Sequence, residues 1–414
     1  MLKRKPPALP DTPHARLTEA AARRDTHQAF QFFHLKEAMF RQWQERLVRI
    51  PAPSFHESAR AGELATIFEQ IGFSAITTDT AGNVLATITG ANRNSPCLLI
   101  CAHLDTVFGA DVPLVLQREG DRIAIPGAYD NGAGLTAMLA IAAAFKSQNM
   151  QPACDVIFAG TVGEEGDGNL RGMRAIFASD LAPRIGAVLA LDGAGTNSAV
   201  EEALGSRRFE VEIHGPGGHS WSDADHPNPI VALAAAIANF QSEPLPETPA
   251  TAVNFATIRG GTSVNSIPQS VIARVDIRSV SQEEIVRQEV RLHRAVEDAV
   301  LAARQTSRHR LRHTIRLTGQ RPPGKLSERS FLAESLRAVD RHFQLRTRWR
   351  IASTDANIPL SLGVPALCLG GGGTGAGAHT LEEWYDPTGR DLALRRILLL
   401  TLIAAEHLAA EAPE

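Results

Sequence analysis

The stretch Cys97-Leu-Leu-Ile-Cys-Ala-His-Leu-Asp105 ends an apolar run with two polar residues that could take part in metal chemistry. Residues i and i+2 of a strand point to the same side, so His103 and Asp105 would emerge together at the carboxyl end of a buried strand. A carboxylate beside an imidazole can accept one ring N–H and leave the other nitrogen free for a metal ion. For this pair alone, a histidine with ordinary hydrogen bonds at a strand end is the alternative explanation.

Further candidates follow other apolar segments of the chain. The segment Asp155–Gly160 leads into Glu164 and Glu165, and the segment Ala187–Leu191 leads directly into Asp192. Adjacent residues of a regular strand point to opposite faces. The flanking glycines of Gly-Glu-Glu-Gly instead favour a turn, which would let both glutamates reach one site from different directions.

Asp130, within Pro126-Gly-Ala-Tyr-Asp-Asn-Gly-Ala-Gly134, and His379, which follows a Gly-rich loop, complete the set. Imidazole and carboxylate groups are ligands of zinc and related divalent ions. Two histidines and three carboxylates would suffice for two metal ions that share a bridging carboxylate. The sequence therefore predicts a metal site where several strands end.

Apolar strands alternate with helices through the first half of the chain and again near its end. This alternation is typical of an α/β fold with a doubly wound, mostly parallel sheet, which binds ligands at the carboxyl ends of its strands. Helical spacing of apolar residues predicts one helix over residues 26–49 and another over residues 56–71. Residues 1–25 are rich in proline and charge, and we expect little ordered structure there.

The pattern changes at about Ser206, where polar and apolar residues begin to alternate. A long amphipathic helix over residues 282–304 follows, and together these features predict an α+β domain with one open sheet face. We expect this domain to occupy residues 206–318 and to be inserted into a larger domain of residues 26–205 and 319–414.

The composition of the 414 residues is that of an ordinary globular protein, with 44% hydrophobic and 21% charged residues. A net charge of -3 gives no reason to expect nucleic acid or an anionic membrane as a partner. The four cysteines lie in apolar surroundings, which favours buried free thiols in a reducing compartment. The amino terminus lacks the apolar segment of a secretory signal, and no apolar run reaches transmembrane length, so we expect a cytoplasmic protein.

Six motifs of the chain resemble, in the same order, those of the zinc-dependent exopeptidase and deacylase family that includes glutamate carboxypeptidase, peptidase T, succinyl-diaminopimelate desuccinylase and the aminoacylases. The motifs are Ala-His-Leu-Asp-Thr-Val (102–107), Gly-Ala-Tyr-Asp-Asn-Gly-Ala-Gly (127–134), Gly-Glu-Glu-Gly (163–166), Leu-Asp-Gly (191–193), Gly-Pro-Gly-Gly-His-Ser (215–220) and Ala-His-Thr-Leu-Glu-Glu (378–383). The resemblance implies a di-zinc catalytic domain with an inserted lid and dimerisation domain.

The resemblance also implies two zinc ions bridged by Asp130. His103 and Asp192 would hold one ion, and Glu165 and His379 the other. Cobalt or manganese accept similar ligands, so either could replace zinc.

Further roles follow from the same resemblance. Asp105 would orient His103, and Glu164 would act as the general base that takes a proton from water and passes it to the leaving amine. The peptide bond that corresponds to Asp130–Asn131 is often cis in this family, so a cis bond is expected here. The family often has Asp where this chain has Asn131, so the surroundings of the site are expected to differ.

Three residues of the inserted domain match further family positions. His219 would donate a hydrogen bond to the oxyanion, in the active site of a partner subunit, which makes a homodimer part of the expected mechanism. Arg278 and Asn265 would grip a substrate carboxylate. An exposed histidine in a glycine-rich turn and an arginine on a strand surface are the plain structural alternatives.

The expected function is hydrolysis of an amide bond in short peptides by a di-zinc exopeptidase. An N-acyl amino acid deacylase with the same mechanism is the nearest alternative, because both substrates carry a carboxylate. A non-catalytic binding protein on the same fold would be expected to lack some ligands or the base, and here every matching position is filled.

Overall fold

The computed structural model describes residues 12–305 and 308–411 of the chain. The chain divides into two compact units: the large unit, of residues Met1–Ala203 and Lys325–Glu414, and the inserted unit, of residues Leu204–Gly324. The predicted insertion at residues 206–318 falls within the second of these.

The helices and strands follow in chain order. Before the insertion, the large unit contains α1 (Pro13–Ala22), α2 (Arg24–Leu35), α3 (Glu37–Val48), α4 (Ser58–Ile71), β1 (Ile76–Thr78), β2 (Val84–Ile88), β3 (Cys97–His103), β4 (Gln117–Glu119), β5 (Arg122–Ala124), α5 (Gly132–Ser147), β6 (Val156–Thr161), α6 (Arg171–Ala178), β7 (Ile185–Leu191) and β8 (Ser198–Ala203). The inserted unit contains β9 (Gly205–His214), β10 (Gly218–His219), α7 (Pro229–Gln241), β11 (Thr251–Gly260), β12 (Ser266–Ile267), β13 (Ser270–Ser279), α8 (Gln282–Gln305) and β14 (Arg312–Arg321). The chain continues with β15 (Gly324–Lys325), α9 (Phe331–His342), β16 (Arg348–Ala352), α10 (Asn357–Ser361), β17 (Ala366–Leu369), β18 (Thr374–Ala376), β19 (Trp384–Asp386) and α11 (Arg390–Ala410).

The main sheet of the large unit has the strand order β1–β2–β6–β3–β7–β17–β8, with β16 beside β8. Its central strands β6, β3, β7 and β17 are parallel neighbours, and antiparallel pairs lie towards the edges. All seven residues of β3 are buried. Because successive residues of a strand point to opposite faces, both faces of the sheet are covered there, and α5 and α11 pack against this strand. The predicted α/β class is confirmed.

Helix α5 packs unusually close to the carboxyl edge of the sheet because its first turn is built from small residues. Gly134 lies so near β7 that a Cβ at this position would come within 2.2 Å of the Leu191 carbonyl oxygen. The side chain of Asn131 caps the helix by accepting a hydrogen bond from the Gly134 N–H at 3.0 Å. The loop that precedes α5 is thereby held against the end of β7.

The inserted unit has an antiparallel sheet of strand order β11–β13–β9–β14. Alternate residues of β9 and β13 are buried and form one core with α7 and α8, whereas the residues between them are only partly buried. This agrees with the predicted α+β domain with one open sheet face.

The expectation of little ordered structure in residues 1–25 was wrong for the part that the structure describes. Helix α1 begins at Pro13, after Thr12 whose hydroxyl accepts a hydrogen bond from the Ala15 N–H at 3.2 Å. Leu17 and Ala20 are buried where α1 packs against α9 and α11. Because most residues of this segment are proline or charged, its apolar residues did not indicate a helix in the sequence. Residues 1–11 lie outside the described part of the chain.

The single helix predicted over residues 26–49 is two helices, α2 and α3, which meet at Lys36. The backbone of Lys36 leaves the helical region, with φ -106° and ψ 15°. Apolar periodicity continues across this point, so spacing alone could not show the break. None of the described helices is long and apolar enough to cross a membrane.

Candidate metal centre

The predicted metal-binding residues come together at the carboxyl edge of the main sheet. His103 is the last residue of β3, Glu164 and Glu165 follow β6, and Asp192 follows β7. The loop after β17 leads through β18 to His379. Parallel strands bring their carboxyl ends to one edge of a sheet, which is why residues far apart in sequence meet here.

One group of possible ligands is built around His103. Its Nε2 lies 3.0 Å from Asp130 Oδ1 and 3.7 Å from Asp192 Oδ1. One ligand atom from each of these three residues falls within 4.8 Å of the others. His103 is buried, whereas Asp130 and Asp192 are half-buried.

A second group is built around His379. Its Nε2 lies 3.0 Å from Glu165 Oε1 and 3.2 Å from Asp130 Oδ2. The two carboxylate oxygens of Asp130 therefore face different histidines. Glu164 and Glu165 also form a group with His103 within 4.8 Å, so the two glutamates do reach one site.

The chemistry of these residues fits divalent cations. His103 Nδ1 lies 3.1 Å from the carbonyl oxygen of Asp105. Because a carbonyl can only accept, the neutral ring carries its proton on Nδ1 and its lone pair on Nε2. Nε2 and the facing Asp130 Oδ1 are buried without a hydrogen-bond partner among the described residues. An unprotonated imidazole nitrogen and a carboxylate oxygen at this spacing are what a cation would use as ligands.

The electrostatics of the site also favour added positive charge. Burial alone would lower the pKa of His103, but the carboxylates of Asp105, Asp130 and Asp192 raise it well above its ordinary value. The carboxylates of Asp130 and then Glu165, which accept hydrogen bonds from the protonated ring, raise the pKa of His379 to about 10. Both rings lie in a field of negative charge that protons or metal cations can balance.

Asp105 holds the turn that carries the two glutamates. Its buried carboxylate accepts the backbone N–H groups of Glu164 and Glu165, each at 2.9 Å. Ser54 Oγ donates to the same carboxylate at 2.6 Å. The carboxylate lies 3.6 Å from His103 Nδ1, so it supports the ring mainly through its charge, and the Asp105 carbonyl makes the closer contact. The expected role of Asp105 was to orient His103, and the structure shows that it also positions the turn that carries Glu164 and Glu165.

The predicted turn after β6 depends on Gly163. Its φ of +63° is in the left-handed region, which disfavours other residues. A Cβ there would also come within 2.6 Å of the Arg171 side chain. The chain reverses at this glycine, and the two following N–H groups point at Asp105.

Two family models match parts of the chain, and several solved structures have a similar fold. Residues 83–217 match Peptidase family M28, and residues 202–303 match the Peptidase dimerisation domain. The fold is similar to that of a tripeptidase from Staphylococcus aureus, with 21% identity and a TM-score of 0.73 over 89% of this chain and 98% of that one. It is similar to aminopeptidase PepT from Bacillus cereus, with 19% identity and a TM-score of 0.71 over 88% and 98% of the two chains. A dinuclear metal binding peptidase of the M20 family from Bacillus subtilis has 16% identity and a TM-score of 0.65 over 89% and 98%.

The chain is a hydrolase of the metallopeptidase type. The family resemblance carried by the six motifs and the expectation of an enzyme are both confirmed.

Asn131, where the resemblance led us to expect different surroundings of the site, has several defined contacts. Its Nδ2 donates to the Leu191 carbonyl at 2.8 Å, and its Oδ1 accepts from the Gly193 N–H at 3.1 Å as well as from Gly134. These contacts hold both sides of Asp192. An aspartate could not make the first of them, because a carboxylate donates no N–H. The Asp130–Asn131 peptide bond is cis, as the resemblance implied.

The predicted residues of the inserted unit lie at two places. His219, on β10, pairs with Ser266 on β12, and the Ser220 N–H donates to the Asn265 carbonyl at 3.0 Å. Arg278 lies near the other end of β13, roughly 26 Å along the strand from its start at Ser270. The inserted unit therefore keeps His219 and Asn265 together and places Arg278 away from them.

The contacts of His219 decide which ring nitrogen can donate. The N–H groups of Trp221 and Ser222 donate to its Nδ1, at 3.2 and 3.4 Å. The neutral ring therefore carries its proton on Nε2, which is available as a donor. Arg278 is half-exposed, and its Nε donates to Asp276 Oδ2 at 2.6 Å.

Sequence reasoning missed several residues that surround the site. Glu383 is the last residue of the motif at 378–383, but its residue type does not indicate its contacts with a distant loop. No sequence pattern indicates a role for Ser54. Asp355 is buried beneath the site, where it accepts a hydrogen bond from Thr161 Oγ1 at 2.5 Å and burial raises its pKa to about 6. A cavity of about 180 Å³ adjoins Asp130 and Asp192 and is lined in part by Tyr129 and Arg350.

Proposed function

We propose that this metallopeptidase is a di-zinc exopeptidase that hydrolyses an amide bond in short peptides. The observation that carries the proposal is Asp130, whose two carboxylate oxygens lie 3.0 and 3.2 Å from Nε2 atoms of two different histidines. A carboxylate that faces two ligand groups is suited to bridge a two-metal site. A tripeptidase, an aminopeptidase and a dinuclear metal binding peptidase are among the proteins of similar fold, which supports short peptides as the substrate class.

Five side chains would hold the metals. His103 and Asp192 would bind one ion, Glu165 and His379 the other, and Asp130 both. When bound, two divalent cations lower the pKa of a shared water and polarise the scissile carbonyl. Mixed imidazole and carboxylate ligands suit zinc, and cobalt or manganese would also be accepted.

Glu164 is the proposed general base. Its side chain is buried, and its backbone N–H is fixed by Asp105 at 2.9 Å. A carboxylate held in this way can accept the proton of the attacking water and pass it to the leaving amine. Both glutamates lie in one group with His103, but Glu165 also belongs to the group of Asp130 and His379. This favours Glu165 as a ligand and leaves Glu164 for the proton.

His219 is the proposed donor to the oxyanion, in the active site of a partner subunit. Its Nε2–H is available to donate, and the exposed Trp221 and Val264 lie beside the β10–β12 pair, where a partner surface could cover them. Asn265 and Arg278 are the residues proposed to bind a substrate carboxylate. Because Arg278 lies at the far end of β13 from Asn265, the two would do so at separate places. The match to the Peptidase dimerisation domain supports a homodimer.

We also propose the cytoplasm as the compartment. The four cysteines are buried free thiols, as expected in reducing surroundings.

The first experiment compares Glu164→Gln with Glu165→Gln in the zinc-loaded protein. Glu164→Gln should retain two metal ions per chain and lose hydrolysis by about 10²- to 10⁴-fold, the usual contribution of general-base catalysis. Glu165→Gln should lose metal as well as activity. Full activity in Glu164→Gln would remove this residue from the mechanism.

The substrate class is tested by mass spectrometry with free di- and tripeptides beside N-acyl amino acids. We expect cleavage of the free peptides at a terminal residue. Preferential cleavage of the N-acyl amino acids would instead identify a deacylase. A protein that binds no metal and cleaves neither class would refute the proposal.

The role of the partner subunit can be tested by mixing two inactive variants. His219→Ala chains keep an intact metal centre, and Glu164→Gln chains keep His219. If His219 acts across the dimer, mixed dimers contain one complete site and activity returns. If mixing restores nothing while dimers exchange subunits, His219 does not serve the partner.

A further inference from the structure

Glu383 is a fully buried carboxylate close to the proposed metal site, and none of the roles above uses it. It follows His379 by four residues and begins the approach to β19. Its Oε1 accepts the N–H groups of Tyr129 and Asp130, at 2.7 and 2.8 Å, and its Oε2 accepts the N–H of Gly127 at 2.8 Å. Three N–H groups of one loop therefore converge on one side chain from a distant segment.

A buried carboxylate is costly unless hydrogen bonds compensate it, and here the compensation comes from the loop that carries Asp130. The main chain joins the same two segments a second time. The Ile125 N–H donates to the Glu383 carbonyl at 3.1 Å, and Trp384 pairs with Ala124 between β19 and β5. Side chain and backbone of Glu383 together attach the His379 segment to the residues just before α5.

We propose that Glu383 is a positioning residue that sets Asp130 against His379, so that the metal site of Glu165 and His379 depends on it. This inference rests on the proposed di-zinc function. Glu383 itself would touch neither metal nor substrate.

The dependence is expected to be unequal between the two sites. His103 and Asp192 come from the ends of β3 and β7, which are neighbouring strands of the main sheet and do not need Glu383. The 3.2 Å approach of His379 Nε2 to Asp130 Oδ2 joins two loops that Glu383 connects. Loss of this connection should therefore lower the metal affinity of the His379 site more than that of the His103 site.

Two substitutions at Glu383 should lower the metal affinity to different extents. In Glu383→Gln the side-chain oxygen can still accept the N–H groups of Tyr129 and Asp130, but the amide would face the Gly127 N–H with another donor. In Glu383→Ala all three acceptors are lost. The matched control is Glu382→Gln, the same chemical change at the adjacent, exposed position.

The experiment measures zinc bound per full-length chain after dialysis against a series of buffered free Zn²⁺ concentrations. The Co²⁺-loaded protein gives a second readout, its visible absorption spectrum. Wild type and Glu382→Gln should bind two ions. Glu383→Gln should bind the second ion about 10-fold more weakly and Glu383→Ala about 100-fold more weakly, which is the range found for residues that orient metal ligands. The first ion should be retained in both, and the cobalt spectrum of the second site should change.

Several results would overturn the inference. One is that both Glu383 variants bind two ions with wild-type affinity. Another is that the affinities for the two ions fall equally. If Glu383→Ala does not fold, the Gln variant alone decides. Wild-type protein that binds fewer than two ions would refute the proposed function and this inference together. Two ions in wild type, and a second ion bound by the folded variants with wild-type affinity, would refute this inference only.

Discussion

Replacing Asp105 by Asn tests whether one buried carboxylate organises the site. The substitution keeps the size of the side chain and removes its charge. The wild-type carboxylate accepts from the N–H groups of Glu164 and Glu165 and from the Ser54 hydroxyl. An asparagine has only one side-chain oxygen, so in either orientation its amide faces a backbone N–H that has lost its acceptor.

The magnitude follows from these contacts. A buried donor left unsatisfied costs about 1–3 kcal/mol, and hydrogen bonds to a charged group are worth about 1.5–3 kcal/mol. Arg60 is also fully buried, and the charge of Asp105 counteracts the burial that lowers the pKa of this guanidinium to about 10. Removal of one member of a buried charge arrangement typically costs about 3–5 kcal/mol. We therefore expect Asp105→Asn to lower the free energy of unfolding of the metal-free protein by about 3–5 kcal/mol.

The assay is urea unfolding of metal-free protein, followed by zinc binding at the same temperature. Zinc affinity should fall about 10- to 100-fold, because the turn that carries Glu165 is no longer fixed. Ser54→Ala is the control, since it removes the hydroxyl, which contacts the Asp105 carboxylate and the Glu165 carbonyl, and leaves the carboxylate in place. It should cost about 1 kcal/mol. If Asp105→Asn is no more destabilising than Ser54→Ala, the carboxylate does not hold the turn.

Three further predictions concern the large unit. Asn131→Asp should destabilise the metal-free protein by about 1–3 kcal/mol in urea unfolding, because a buried carbonyl of β7 loses its donor. Arg396→Met should cost about 3–5 kcal/mol in the same assay, because it leaves Asp340, 2.6 Å away and buried, without its cation. Arg395→Met, which breaks the partly exposed pair with Asp391, should cost about 1 kcal/mol or less. Burial raises the pKa of Glu406 to about 7, so wild-type stability should fall as the pH rises from 4.5 to 7. Glu406→Gln should raise the melting temperature at pH 8 and leave it nearly unchanged at pH 4.5, and equal shifts at both pH values would contradict this assignment.

The strand ends of the large unit could be predicted from sequence because their physical signals are local. A run such as Cys97–His103 is apolar at every position, which indicates a strand buried on both faces, and its polar end marks the edge of the sheet. Parallel order then brings His103, Glu164 and Asp192 to one place without any knowledge of distances. The turn at Gly163 was also predictable, because glycines on both sides of two glutamates favour a reversal.

Other features had no local signal. Helix α1 was hidden because proline at its first position and many charges resemble a disordered segment, although Thr12-Pro13 is a common start of a helix. The wide separation of Arg278 from His219 could not be predicted, since both were assigned from motifs whose positions on the inserted sheet were unknown. Arg350, which lines the cavity beside Asp192 together with Tyr129, belongs to a strand that the sequence indicates only by alternation.

The site also shows why its supporting residues are harder to predict than its ligands. Ligand residues bind through side chains, so residue type and strand position are enough to propose them. Asp105 and Glu383 act on backbone N–H groups, which every residue except proline offers, and no residue type in the receiving loop reveals the contact. Both are carboxylates in a site that already concentrates negative charge, and a neutral amide would avoid that repulsion. Their acidic side chains are nevertheless suited to the task, because one carboxylate can accept several N–H groups at once and its charge strengthens each bond. Each supports the loop of a proposed ligand, and the negative charge that this adds further favours the binding of cations.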